Sequence, residues 1–129
     1  MNKKNLTTKE TFDLAVQNHK KNNLQAAEKL YKEILKTNPN FEGAYNNLAN
    51  VLHELGKHQK AISCYEKAIQ IQPNYANAHY NLGLVFKKLG EFQKAVSCYE
   101  KAVQINPNFA GTHNNLGNVL HELGEFQKA

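Results

Sequence analysis

Apolar residues recur at three- and four-residue intervals along most of this chain, and the pattern restarts at a fixed distance. In residues 42–75, Ala44, Leu48, Val51, Leu52 and Leu55 mark one amphipathic helix. Ala61, Ile62, Tyr65, Ala68 and Ile69 mark a second, from about His58 to Gln70. Gly56 ends the first where a left-handed residue is needed. Pro73 ends the second, because proline disfavours helical geometry in the residue before it. Asn40 is placed to cap the first helix through its side-chain oxygen. So short a connection joins two antiparallel helices.

The same grammar returns every 34 residues, the spacing of Pro39, Pro73 and Pro107. Residues 42–75 and 76–109 share 19 identities in 34 positions, so the period is a true repeat. Gly90 and Gly124 repeat the stop of Gly56, and Asn22 takes that place in residues 8–41. Thr7 and Glu10 form a capping box for the first helix. Small residues recur where helices approach closely: Ala15, Ala49, Gly83 and Gly117, then Ala27, Ala61, Ala95 and Ala129. Units of this length bury their apolar faces only against neighbours, which predicts a stacked helical array.

Tyr45, Leu48, Ala49, Leu52, Ala61, Tyr65, Ala68 and Pro73 resemble the signature of the tetratricopeptide repeat (TPR) family. His79, Leu82, Gly83, Phe86, Ala95, Tyr99, Ala102 and Pro107 repeat it. Thr11, Leu14, Ala15, Asn18, Ala27, Tyr31, Ile34 and Pro39 give a degenerate version. The resemblance implies an all-α, right-handed TPR superhelix, an α-solenoid of antiparallel helix pairs with about three and a half repeats. Its parts are a flank at 1–7, repeats at 8–41, 42–75 and 76–109, and a fourth at 110–129 with its first helix alone. Residues 110–129 match 42–61 at 14 of 20 positions and stop before a second helix, so the array reads as cut.

Composition removes several function classes. Net charge is +5, yet residues 1–41 hold eight Lys against four acids, and the rest is nearly balanced. All sixteen basic residues are Lys; without Arg, the usual reader of phosphate and guanine, no nucleic-acid partner is expected. No apolar run approaches the roughly 20 residues of a membrane span, and the N-terminus lacks a signal-peptide core, so a cytoplasmic location with no membrane partner is the default. Cys64 and Cys98 lie one repeat apart, farther than a disulfide reaches if stacked helices are about 8–10 Å apart, and are expected as free thiols.

In the family, first helices line a concave groove that holds ligands. Those positions fall on Asn46, Asn47, Asn50 and His53, on Asn77, Tyr80, Asn81 and Lys87, and on Asn114, Asn115, Asn118 and His121. Asn47, Asn81 and Asn115 occupy one repeat position, and amides carry a donor and an acceptor suited to a peptide backbone. They resemble the asparagine ladder of TPR arrays on O-linked N-acetylglucosamine transferases. The charges of a carboxylate clamp are missing, because its basic positions hold Phe12, Asn77 and Asn81 in one frame and Asn46, Gly111 and Asn115 in another.

His19, His53 and His121 share a repeat position but are spaced too widely to ligate one ion together. No nucleotide-loop, zinc-protease or nucleophile-elbow motif occurs, so no metal, cofactor or catalytic residue is expected. The expected function is a scaffold that binds an extended peptide or partner segment in the groove. The alternative is a recruitment module of a larger enzyme such as a glycosyltransferase. A third reading is self-assembly: Leu116, Leu120, Leu123 and Phe126 form an apolar face that a second copy would cover.

Overall fold

The computed structural model describes residues 6–109 and 111–128, with backbone alone for 125–128. The described residues form seven helices and no strand. These are α1 (Thr8–Lys20), α2 (Leu24–Thr37), α3 (Glu42–Glu54), α4 (His58–Ile71), α5 (Ala76–Lys88), α6 (Phe92–Ile105) and α7 (Thr112–Lys128). Three helix pairs and one further first helix give about three and a half repeats. The chain divides into two compact units, one up to Cys64 and one from Tyr65.

In the first unit α2 packs against α1 and α3, and in the second α6 packs against α5 and α7. Tyr31 and Tyr99 are the largest fully buried side chains of their helices, and Ala15, Ala27 and Ala44 in the first unit and Ala78 and Ala95 in the second are likewise at 0% exposure. Burying the carbon of one such ring contributes about 1.5–3 kcal/mol, less the cost of a hydroxyl buried without a partner. The small residues let the helices come close enough to cover it. Gly83 shows this directly: a Cβ there would stand 2.6 Å from the Tyr99 ring.

The turns follow local backbone chemistry. Gly56 and Gly90 adopt φ of 80° and 78°, and Asn22 takes 64° without a glycine. After α3, Gly56 N–H donates to His53 O at 3.0 Å and Lys57 N–H to Leu52 O at 2.8 Å, closing the helix end. Thr7 and Glu10 make the expected reciprocal cap, at 2.9 and 3.0 Å.

Three local expectations are corrected. Asn40 does not cap α3: Phe41 holds that place with no side-chain bond. Instead Phe41 N–H bonds Asn38 O, and Ala44 and Tyr45 N–H both bond Phe41 O, so a backbone carbonyl and not a side chain accepts at the helix start. Gly124 does not stop α7, which runs on to Lys128. A glycine permits a left-handed turn without imposing one, and here the helix continues through it. Gly117 makes no close approach, with nothing within 4 Å of a Cβ placed there; no ring stands over it as Tyr99 stands over Gly83.

Cys64 and Cys98 are free thiols. Burial, then the nearby Glu66 carboxylate, pushes Cys98 up to about 11, and burial also raises Cys64. Among the described residues, no helix is long and apolar enough to cross a membrane.

Candidate partner-binding face

Helical periodicity sets Asn46, Asn47, Asn50 and His53 on neighbouring turns of α3, with counterparts along α5 and α7. Their exposures differ. Asn77, Asn114, Asn118 and His121 are exposed, while Asn47, Asn50, His53, Tyr80, Asn81, Lys87 and Asn115 are half-buried. Asn46 departs from expectation: at 5% exposure its amide has little surface to offer a ligand. Asn46, Asn50, His53 and Asn81 all have partners within the protein.

The second unit holds a connected network of side chains. Tyr80 stacks on Phe109 with centroids 5.0 Å apart and leans on Tyr99 at 5.8 Å. Its hydroxyl accepts a hydrogen bond from Asn115 Nδ2 at 2.8 Å. Lys87 Nζ donates to Asn115 Oδ1 at a longer 3.4 Å. Asn115 is thus held at both ends of its amide, with one N–H and one lone pair left over. Tyr80 keeps an O–H to donate, and Lys87 keeps two ammonium protons. Gly111, at φ 80°, lies beneath: a Cβ there would meet the Tyr80 hydroxyl at 3.5 Å. Burial, then the neighbouring Tyr80 and Cys98, pushes the Tyr99 hydroxyl up to about 12.

The first unit repeats the aromatic frame with one change. Phe12 stacks on Phe41 at 5.1 Å and meets Tyr31 edge-on at 5.7 Å. Phe12, Tyr31 and Phe41 stand 68 residues before Tyr80, Tyr99 and Phe109, so the frame matches ring for ring. Phe12 has no hydroxyl, so Asn47, the counterpart of Asn115, has no such acceptor. Burial raises the Tyr31 hydroxyl above its usual range, and the nearby Asn47 side chain eases that rise. Tyr31 Oη nevertheless has no hydrogen bond of good geometry.

Polar pairs flank this frame. His19 Nε2 donates to Glu54 Oε2 at 2.6 Å, 35 residues away in sequence. Lys32, then Lys57, holds the buried Glu28 carboxyl below its usual range, against the opposing effect of burial. His53 Nδ1 lies 3.0 Å from His58 Nδ1. His79 and His113 each donate Nε2–H to a proline carbonyl, Pro73 and Pro107, at 2.9 Å. No group of three or more His, Cys, Asp or Glu side chains converges among the described residues.

Sequence reasoning missed the His19–Glu54 and His53–His58 pairs. The first was visible as complementary groups one repeat plus one residue apart. The second was visible as a departure, since His58 stands where other repeats place Leu24, Phe92 and Phe126.

Among α7's apolar positions, Leu120 is 49% exposed, and Leu116 and Leu123 are half-buried. The Phe126 side chain and Ala129 lie outside the described residues.

Family models described as TPR repeat and tetratricopeptide repeat match residues 49–90, 76–109, and 30–63 with 98–129. No curated protein gives a significant sequence match. The fold is similar to the crystal structure of MamA, with a TM-score of 0.86 and 26% identity over 92% of this chain and 69% of that one. It is similar to the Sgt2 TPR domain from Aspergillus fumigatus, with a TM-score of 0.90 and 21% identity over 95% and 82%. A third neighbour is the first TPR of Spaghetti (RPAP3) bound to the HSP90 peptide SRMEEVD, at 0.87 and 20% over 91% and 93%. The 34-residue helix pairs, the glycine and asparagine turns and these matched models together place the chain in the tetratricopeptide repeat family.

Proposed function

We propose that this chain is a protein-interaction module that binds an extended peptide or partner segment along the first helices of its repeats. The observation that carries this reading is the Tyr80–Asn115–Lys87 network, with its unused donors and acceptor on a half-buried face. Amides held in place by protein partners lose little entropy on binding, which favours hydrogen bonds to a peptide backbone. One structural neighbour carries a bound peptide, which supports a peptide partner for this chain as well. Asn47, Asn50, His53, Asn77, Asn81, Asn114, Asn118 and His121 extend the proposed face. The test is selection from a displayed peptide library, followed by affinity measurement on a variant with Asn47, Asn81 and Asn115 all changed to Ala. The reading expects at least a tenfold loss, about 1.4 kcal/mol, from lost hydrogen bonds. Equal affinity rejects it.

A second reading rests on Leu120, whose counterparts Leu52 and Phe86 are only 2% and 8% exposed. In α3 and α5 this chain's own residues cover that position. A second copy carries the same covering helices, so we infer self-association through α7, with Leu116 and Leu123 beside Leu120.

A further inference from the structure

His53 stands in the last turn of α3, and His58 opens α4. The turn between them is closed by Gly56 N–H to His53 O and Lys57 N–H to Leu52 O, and Ala61 N–H then bonds Lys57 O at 3.0 Å. The same closure follows α1, where Asn22 N–H bonds His19 O, and α5, where Gly90 N–H bonds Lys87 O. There the paired positions hold His19 with Leu24 and Lys87 with Phe92. The backbone motif therefore does not require two histidines. Repeat 2 alone places two imidazoles at this pair of positions among the described side chains.

Their geometry is specific. The two Nδ1 atoms lie 3.0 Å apart, the ring centroids are 4.9 Å apart, and both side chains are half-buried. Two imidazole nitrogens about 2.0–2.1 Å from one tetrahedral zinc ion stand roughly 3.3 Å apart. Around a square-planar copper(II) ion with similar bonds the separation is roughly 2.9 Å. The observed separation lies between these values, on a turn fixed by its own backbone bonds, so the two rings need only swing about their side-chain bonds to aim both Nδ1 lone pairs at one ion.

We propose that His53 and His58 form a two-ligand site for one borderline transition-metal ion, Zn2+ or Cu2+, with water completing the coordination. Calcium and magnesium, which take oxygen ligands, are not expected to bind. Without metal, one ring donates Nδ1–H to the other. On binding, that proton moves to Nε2 of the same ring, which frees both Nδ1 lone pairs and leaves total protonation unchanged. The ion then links the end of α3 to the start of α4.

The test is calorimetric titration of the intact chain with zinc in a non-chelating buffer, with thermal melts on the same samples. The site predicts saturation at one ion per chain and a higher melting temperature. His58→Leu, which installs the residue of repeat 1, should weaken binding at least about tenfold, since even outer-shell changes cost that much. It should also remove the melting shift, whereas His113→Gln should leave both intact. His53→Lys, which installs the residue of repeat 3, is the second variant should His58→Leu fail to fold. No saturable binding in the unaltered chain, or unchanged binding in a folded His58 or His53 variant, overturns the proposal.

Discussion

Tyr80 and Asn115, 35 residues apart in sequence, are joined by a 2.8 Å hydrogen bond that the matching place in the first unit lacks. Phe12 supplies the same ring without the oxygen, so one hydroxyl separates the two arrangements. Tyr80→Phe should cost about 1 kcal/mol in chemical denaturation. It should also shift the Asn115 side-chain amide signals in NMR spectra while leaving those of Asn47 in place. Unmoved Asn115 signals would show that the bond is not formed in solution.

Gly83 and Gly117 occupy the same repeat position but have opposite surroundings. Gly83→Ala puts a methyl against the Tyr99 ring and should destabilise by about 1–3 kcal/mol. Gly117→Ala meets nothing within 4 Å and should stabilise α7 by about 0.5–1 kcal/mol through helix propensity alone. Equal effects in urea denaturation would contradict the assigned packing.

Glu28 links stability to acidity. Lys32 and Lys57 lower its folded value below the ordinary 4.5, so its contribution is complete above that range. The contribution is lost as pH falls through the lower folded value. Glu28→Gln should cost about 1 kcal/mol at pH 7, and the two proteins should converge in stability at strongly acid pH. Melting curves across pH would show it; a constant gap would place the stabilisation outside the carboxylate's charge.

Much of this architecture was legible because its signals are local. A left-handed turn needs Gly or Asn whatever surrounds it, so Gly56, Gly90 and Asn22 were readable as helix ends. The buried Ala and Tyr positions followed from the helical period. What escaped depends on neighbours in space. Asn40 looked like a cap, but the loop bonds itself through Phe41. Gly124 looked like a stop, yet α7 runs through it, because glycine permits that turn without requiring it. On the candidate face, Asn46 and Asn115 were equal members in sequence. One is buried and the other is held between Tyr80 and Lys87, a distinction that exists only once the helices are placed.

Leu120 offers a test of the α7 surface. Sedimentation equilibrium should give a mass that rises with concentration, and Leu120→Glu should hold the protein at monomer mass. A monomer at every concentration would remove the self-association reading.

The proposal that a partner lies along the first helices is tested most directly by side-chain amide NMR with a selected peptide. The account predicts that the Asn47, Asn81 and Asn115 amide signals shift on titration, with slowed backbone exchange in α3, α5 and α7. Shifts confined to residues of α2, α4 and α6, with those three asparagine signals unmoved, would contradict it.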